Sequence, residues 1–324
     1  MHPAILALDA ALAAAAAVGG VQTYSHFAGE HPILDPLYER QLRQSELGAL
    51  ANAAAIRPRT DVVVTMTTLP SRIARIETTI KSLLNQRLTA KAIRLNVPAF
   101  SRREQRPYEV PEWLRRTPTV EIVECHDYGP ATKVIPALQT STPEQRLLVV
   151  DDDRIYHPWL IEQMIAASEA NPNVVVAGSG WDAPADLIDR PTTLSATIRG
   201  RAPAPIKCTR VRGRRDVDIV QGVSGYLVRA CFFDLAAVAD YSAAPDAAFF
   251  VDDVWISAHC RVPKVVVEGR RTNFASRRDA RFYKRSSVAL VNRGGGSPES
   301  RNNTIMLKYF AERWRGGRVQ TRKT

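Results

Sequence analysis

The sequence predicts an α/β protein with a mainly parallel sheet flanked by helices, preceded by an N-terminal helical extension. Between residues 61 and 267, short β-branched and apolar runs alternate with stretches that carry apolar residues at helical spacing. This alternation is typical of parallel α/β sheets. The chain has 324 residues, 45% of them hydrophobic and 24% charged, so it can bury a large core and shows no sign of bulk disorder.

The elements follow in order along the chain. Residues 4–18 and 37–56 predict two helices, with a loop containing Pro32 and Pro36 between them. Strands are expected at 61–66, 92–97, 120–123, 146–150 and 174–177, and helices at 73–85, after Pro130 and at 159–170. Residues 180–215 are rich in Pro and Arg and predict a long loop. A strand at 217–221, helices at 230–239 and after Asp253, a strand at 264–267 and a last helix from about Asn303 complete the pattern.

These elements divide the chain into three expected segments. They are an N-terminal helical extension at 1–59, a catalytic domain at 60–292, and a C-terminal helix with a basic tail at 293–324. In parallel sheets, ligands bind beyond the carboxyl ends of the strands. We therefore expect the residues that follow Met66, Val123 and Val150 to converge on one cleft.

The N-terminal run and the cysteines bear on location. Residues 4–18 are Ala-rich, lack a preceding Lys or Arg and include Asp9, whereas a membrane span needs about 20 strongly apolar residues. We expect a packed helix, or one with loose peripheral contact at the inner face of the membrane. The four cysteines form no CxxC pair, which argues against a zinc site and predicts reduced, mostly buried thiols in a cytoplasmic protein.

The net charge of +11 indicates what kind of partner the protein binds. Basic residues concentrate at 199–215, 270–285 and 313–323. Such a field favours an anionic partner, which could be a nucleotide diphosphate, a nucleic acid or an anionic membrane surface. A solvated, Arg-rich surface explains the same charge equally well.

Three consecutive aspartates, Asp151, Asp152 and Asp153, follow directly on the apolar run 147–150. Like charges repel, and burial raises the cost of holding them together. A hard divalent cation compensates that cost, because Mg²⁺ or Mn²⁺ takes one or two carboxylates plus phosphate oxygens and waters. The alternative is an acidic cap on the helix after Pro158. Placement at the mouth of a buried strand favours the metal site.

This strand with its three aspartates resembles the DXD-type motif of GT-A-fold (Rossmann-like) glycosyltransferases, a family-2-like fold with a fringe-like or exostosin-like flanking pattern at 149–156. The resemblance covers about residues 61–267. It implies that Asp153 is the metal ligand for Mn²⁺ or Mg²⁺, with Asp151 as a second ligand or as the contact to the donor's ribose. It also implies a nucleotide-sugar donor, with a UDP-sugar expected, and places Asp152 among the donor contacts.

A later acidic pair, Asp252 and Asp253, follows an apolar run and is similar to the family's ED-type motif at a helix start. The resemblance implies that one of them is the general base that deprotonates the acceptor hydroxyl. Adjacent carboxylates raise each other's pKa, which suits a base. We expect Asp253 to act, with Asp252 as the alternative. A helix cap is the competing interpretation.

Three further donor contacts are expected from their positions. Thr67 and Arg72 follow the first strand, where the fold receives the nucleotide, and Arg72 suits a phosphate or a base. Lys133 follows Gly129 and Pro130 and can place a point charge on the diphosphate. Gly222 lies between the two acidic motifs, where its backbone N–H can face the ligand. The alternatives are a turn capped by Ser71, a solvent-facing lysine and a β-bulge.

The function expected from these motifs is metal-dependent transfer of a hexosyl or related sugar to an acceptor hydroxyl, with inversion, in glycan biosynthesis. The acceptor is a glycan or another hydroxyl compound, and the charge admits an anionic polysaccharide or DNA. A metal-dependent phosphohydrolase or nuclease and a basic nucleic-acid-binding protein are the alternatives. The sequence leaves the donor sugar, the linkage and the oligomeric state open.

Overall fold

The computed structural model describes residues 3–276, 278–279, 282 and 294–314. The helices of this part are α1 (Pro3–Ala28), α2 (Leu34–Gln44), α3 (Leu47–Ile56), α4 (Glu77–Leu84), α5 (Glu112–Arg115), α6 (Ile135–Thr140), α7 (Leu160–Ala170), α8 (Leu194–Arg199), α9 (Leu235–Ala239), α10 (Asp252–His259) and α11 (Asn302–Tyr309). The strands are β1 (Val63–Thr67), β2 (Ala92–Pro98), β3 (Phe100–Ser101), β4 (Arg106–Pro107), β5 (Val120–Cys125), β6 (Leu147–Val149), β7 (Arg154–Tyr156), β8 (Val175–Ala177), β9 (Ser179–Trp181), β10 (Ile206–Lys207), β11 (Arg214–Asp216), β12 (Ile219–Val220), β13 (Tyr226–Val228), β14 (Lys264–Val267) and β15 (Asn273–Ala275).

The main sheet has eight strands in the order β11-β14-β8-β13-β6-β1-β2-β5. Strands β6, β1, β2 and β5 are parallel neighbours, as are β8 and β14. Strands β13 and β11 pair antiparallel with their neighbours and so run against the other six. The predicted fold class, a mainly parallel sheet flanked by helices, is confirmed.

The central strands are apolar on both faces because each face carries its own core. Along β6 the side chains alternate, with Leu147 and Val149 in one buried cluster and Leu148, followed by Val150, in the other. A strand covered by helices on both sides reads as a continuous hydrophobic run, since neither face meets water. This explains why the run before the triple aspartate lacks any polar alternation.

The N-terminal extension packs against the rest of the chain through α2. Asp35 binds Arg271 at 2.9 Å, and Glu39 accepts the hydroxyl of Ser276 at 2.6 Å. Helix α1 is longer than predicted, and the predicted helix at 37–56 is two helices because the backbone is extended at Ser45. None of the helices in the described part is both long and apolar enough to cross a membrane.

Other sequence expectations need correction. Residues 180–215 are not one long loop, since they contain α8, β10 and parts of two other strands. The helix expected at 230–239 is a 3₁₀ turn followed by the short α9. All four cysteines are free, but only Cys208 is buried, and Cys231 is exposed. The basic tail after residue 314, and most of the basic group at 270–285 beyond residue 276, lie outside the described residues.

Candidate active site

A cleft of about 730 Å³ opens beyond the carboxyl ends of β1 and β6. The segments after β1, β5 and β6 line it together with the start of α10. Its walls carry seven aspartates and five basic side chains, which are Asp127, Asp151, Asp152, Asp153, Asp189, Asp252, Asp253, Arg72, Arg103, Lys133, Arg190 and Arg301. A cleft with this density of opposite charges suits a charged, polar ligand.

Asp151 and Asp152 are each held by the protein. The Asp151 N–H donates to the hydroxyl of Tyr156 at 2.8 Å. Asp152 is buried and accepts hydrogen bonds from the Thr68 hydroxyl at 2.7 Å and from Arg72 Nη1 at 3.2 Å. The helix α7 that follows starts without a side-chain cap, so the aspartates do not cap it. The cap interpretation of this motif is therefore wrong.

Asp153 presents its carboxylate to the cleft. Its side chain is 27% exposed, and Arg154 Nε lies 3.4 Å from Asp153 Oδ1. Burial raises the pKa of Asp153; the charge of Arg154 opposes the rise, and the charges of Asp152 and Asp151 add to it. An arriving cation would favour the ionised form of this carboxylate.

Lys133 joins the two acidic motifs. Its buried Nζ lies 2.5 Å from Asp151 Oδ1, 2.6 Å from Asp252 Oδ2 and 4.0 Å from Asp253 Oδ1. Burial alone lowers the pKa of Lys133, but the three carboxylates raise it well above its ordinary value. The lysine therefore stays charged and is not the solvent-facing side chain that the sequence left as an alternative.

Asp252 and Asp253 begin α10, but neither caps it, because the N-cap residue is Val251 and makes no side-chain cap bond. Asp253 instead accepts the backbone N–H of Gly222 at 3.1 Å. Its side chain is 30% exposed, against 13% for Asp252. Burial, and next the charge of Asp252, raise the pKa of Asp253 well above its usual range. Of the pair, Asp253 has the greater access to the cleft.

Gly222 lies in close contact with the charged side chains of the cleft. A Cβ at this position would lie 2.4 Å from Lys133 Nζ and 2.7 Å from Asp151 Oδ1. The backbone therefore touches the cluster of charges directly. Thr67 also reaches the cleft, although its hydroxyl donates to the Asn96 carbonyl at 2.8 Å. The expected cap by Ser71 is absent, since its hydroxyl binds Glu104 at 2.5 Å.

Several cleft residues were not anticipated from the sequence. Arg103 lies in the turn between β3 and β4, a few residues after β2, the neighbour of β1, and burial together with the charge of Arg72 lowers its pKa. Its position after a strand next to β1 was the available signal. Arg301 and Asn303 lie in the segment expected to stand outside the catalytic domain, yet they line the cleft and bind Asp189 at 2.8 and 3.3 Å. No sequence pattern pointed to them.

Within the described residues, no group of three His, Cys, Asp or Glu side chains is arranged to hold a metal ion. The donor set nevertheless fits a cation shared with a ligand. Asp152 is buried against Arg72, whereas Asp151 beside Lys133 and Asp153 beside Arg154 each keep about a quarter of the side chain exposed, at 26% and 27%. Mg²⁺ commonly binds through one or two carboxylates, with substrate phosphates and waters completing its shell.

Comparisons with known proteins place the chain only coarsely. No family model matches it, and no curated protein matches it. Among solved structures, residues 1–349 of S. aureus TarS are 13% identical, cover 80% of this chain and 71% of their own, and superpose with a TM-score of 0.40. The same protein in complex with UDP-GlcNAc is 12% identical, with 80% and 66% covered and a TM-score of 0.43.

A 4-diphosphocytidyl-2C-methyl-D-erythritol synthase is also similar, at 13% identity and a TM-score of 0.38, with 70% of this chain and 97% of that chain covered. All three TM-scores are low. The functional conclusion accordingly depends on the geometry of the cleft.

Proposed function

We propose that the protein is a glycosyltransferase that moves a sugar from a nucleotide-diphosphate sugar to an acceptor hydroxyl. The observation that carries this proposal is the meeting of the two acidic motifs in one cleft. Asp151–Asp153 at the end of β6 and Asp252–Asp253 at the start of α10 are linked by the single ammonium of Lys133. A donor-binding half and an acceptor-activating half thus lie within one ion cluster.

On the donor side, Asp153 would hold a divalent cation, Mn²⁺ or Mg²⁺, together with the donor's diphosphate oxygens. When bound, that cation would neutralise charge on the leaving diphosphate. Arg72 holds Asp152 and, with Thr67, borders the space where the nucleotide would lie. Lys133 orients Asp151, which is then available for the ribose of a UDP-sugar.

On the acceptor side, Asp253 would take the proton from the attacking hydroxyl. Its raised pKa suits a general base, because the proton-accepting power of a carboxylate increases with its pKa. The Gly222 N–H and the fixed charge of Lys133 hold the carboxylate in place. Attack assisted by a carboxylate on the acceptor would proceed with inversion at the sugar carbon.

The alternative functions find less support in the cleft. A metal-dependent phosphohydrolase or nuclease usually gathers several His and carboxylate ligands, and the described part of the chain has no such group of three. A nucleic-acid-binding protein would explain the net charge of +11, but it would not need carboxylates concentrated in its main cleft. An anionic acceptor, polysaccharide or DNA, remains compatible with the transferase.

A donor screen tests the proposal. UDP-GlcNAc and other nucleotide sugars are added with Mn²⁺, with Mg²⁺ or with chelator, and thermal stability and slow donor hydrolysis are measured. A donor at one hundred times its dissociation constant should stabilise the fold by about 2.7 kcal/mol. If no nucleotide sugar stabilises the protein with either metal, the proposal is wrong.

Two variants separate the halves of the site. Asp153→Ala should abolish metal-dependent donor binding, because it removes the proposed metal ligand. Asp253→Asn should leave donor binding intact and reduce donor hydrolysis and transfer by about a hundredfold or more, the usual contribution of a general base. Asp246→Asn, an exposed aspartate a few residues before α10, is the matched control and should change neither readout.

A further inference from the structure

A polar network centred on Asp189 builds the end of the cleft that lies nearest to α11. Asp189 Oδ2 accepts hydrogen bonds from Arg301 Nε at 2.8 Å and from Asn303 Nδ2 at 3.3 Å. The backbone N–H of Asp189 donates to the Thr304 hydroxyl at 2.9 Å. Asp189, Arg301 and Asn303 all line the cleft, so the start of α11 holds a polar wall in place there.

This wall lies beside the proposed acceptor half of the site. Helix α11 packs against α10, which begins with Asp252 and Asp253, and the ring centroids of Phe310 and Trp255 are 5.6 Å apart. Helix α11 also packs against the 3₁₀ turn Asp246–Phe250 that leads into α10. The polar wall and the proposed general base therefore stand on neighbouring elements of one cleft.

The network leaves hydrogen-bonding atoms for a ligand. Its bonds use Asp189 Oδ2 and Arg301 Nε, so Asp189 Oδ1 and the two amino groups of Arg301 have no hydrogen-bond partner in the described part of the chain. The side chains of Arg301 and Asp189 keep 21% and 8% of their surface exposed. An acceptor and a fork of donors thus lie side by side, an arrangement that can bind two neighbouring hydroxyl groups.

The charges at this end of the cleft cancel among the described residues. Arg301 is paired with Asp189. Arg190, the other arginine here, donates to both carboxylate oxygens of Asp186, one of them at 3.0 Å. Asp253 adds a further carboxylate at 4.0 Å from the shared ammonium. An anionic acceptor would therefore meet carboxylates without a surplus cation, and like charges brought together cost several kcal/mol.

Apolar surface accompanies the polar wall. Pro191, two residues after Asp189, is exposed, and Phe250, in the turn before α10, is partly exposed; both line the cleft. A pocket with apolar surface and a few fixed polar groups suits a ligand that presents both kinds of surface. A sugar ring is such a ligand, because its C–H faces are apolar and its hydroxyl groups project from its edge.

From these contacts we infer that this end of the cleft binds an uncharged sugar as the acceptor. One hydroxyl of the sugar donates to Asp189 Oδ1, its neighbour accepts from Arg301, and a third reaches Asp253. That the sugar is an acceptor rests on the proposed function, whereas the sugar site itself stands on the contacts of the polar wall. The site narrows the acceptor to neutral glycans, although the net charge of +11 admits anionic ones.

Saturation-transfer NMR with methyl glycosides tests the site without any transfer reaction. The methyl glycosides of glucose, galactose and N-acetylglucosamine are the neutral probes, and methyl glucuronide differs from the glucoside only by a carboxylate at carbon 6. Each is titrated into the full chain, alone and with UDP and Mn²⁺. At least one neutral glycoside should bind about tenfold or more tightly than the glucuronide, because the carboxylate finds no surplus positive charge.

Two variants locate the bound sugar. Asp189→Asn should weaken the glycoside about tenfold or more, as expected when a hydrogen bond to a charged group is lost. Arg301→Lys keeps the positive charge beside Asp189 but loses the planar fork, and should weaken the glycoside about threefold or more while preserving the ion pair that holds the wall. Asp9→Asn, at an exposed aspartate of α1, is the matched control and should leave binding within about twofold.

The assignment is overturned if no neutral glycoside binds, if the glucuronide binds as tightly as the glucoside, or if both site variants bind like the control. Binding that is lost in Arg72→Gln but kept in Asp189→Asn also overturns it, since that sugar lies in the donor half. The outcome is separable from the donor screen. A failed screen with Asp189-dependent glycoside binding refutes only the transferase, and a successful screen without glycoside binding refutes only the sugar site.

Discussion

Replacing Lys133 by methionine tests the electrostatic centre of the site. The substitution keeps the length of the side chain and removes its charge. At an effective dielectric constant of 20, the contacts at 2.5 and 2.6 Å each contribute about 6 kcal/mol of attraction, and the contact at 4.0 Å contributes about 4 kcal/mol. Desolvation of the ions and repulsion between the carboxylates offset most of this gross attraction.

The net loss of stability should be that of a broken buried ion pair, about 3–5 kcal/mol at pH 7. It should shrink on acidification. Burial and the charge of Asp252 already raise the pKa of Asp253 above its unfolded value, and without the ammonium nothing of that size opposes the rise, so this carboxylate takes up a proton in the folded variant first. In the unaltered protein, the carboxylates raise the pKa of Lys133, and the resulting stabilisation of the fold is complete at any pH below the pKa of an unfolded lysine. It is lost only at alkaline pH, as the pH rises through the folded pKa.

Urea unfolding at pH 7 and pH 5 measures both effects. Lys91→Met, at an exposed lysine, is the control and should stay within about 0.5 kcal/mol of the parent. A loss below about 1 kcal/mol for Lys133→Met at pH 7 would refute the reasoning, because a buried ammonium between three carboxylates cannot be removed so cheaply. A loss of equal size at both pH values would refute the assignment of the cost to carboxylate repulsion.

Two further predictions concern stability. Burial, with the charge of Arg271, lowers the pKa of His157 to about 3, so the folded protein favours the neutral imidazole. Its contribution to the free energy of unfolding is complete above the unfolded pKa of about 6.5 and is lost as the pH falls. Between pH 7 and 5 the protein should lose about 2 kcal/mol of unfolding free energy through this histidine. Urea unfolding of His157→Gln should therefore show a weaker dependence of stability on pH, and an unchanged dependence would contradict the assignment. Gly129→Ala should lower the unfolding free energy more than Gly213→Ala in the same assay. Both glycines have φ near +65°, but only at Gly129 would a Cβ meet backbone, 2.1 Å from the Phe249 carbonyl oxygen. Equal losses of stability would show that this clash relaxes.

Much of the fold was predictable because hydrophobic pattern reports local burial. The strands β1, β2, β5, β6 and β8 were expected close to their observed bounds, since runs covered on both faces are apolar throughout. The antiparallel direction of β13 and β11 was not expected. The direction of a strand relative to its neighbours depends on which strands pair in space. A short apolar run has the same sequence pattern whether it pairs parallel or antiparallel, so the pattern does not reveal the direction.

The site was predictable only as a set of residue types. The segments after Met66, Val123 and Val150 were expected to converge on one cleft, and residues of all three line it. The ion cluster itself was not foreseen, because Lys133 and Asp252 are far apart along the chain and nothing local marks them as partners. Arg301 and Asn303 were missed for the same reason, since they reach the cleft from the last helix of the described part.

The sequence by itself determined the α/β class, the strand ends that bear carboxylates, and the expectation of a charged ligand. These follow from local pattern and from the cost of grouping like charges. Only the tertiary structure decided that a single buried ammonium joins the motifs, that Asp151 and Asp153 are both partly exposed while Asp152 is buried, and that Gly29 and Glu30, just after α1, line a second cavity. Each depends on distances between segments remote in the chain, and such distances are set by packing rather than by neighbouring residues.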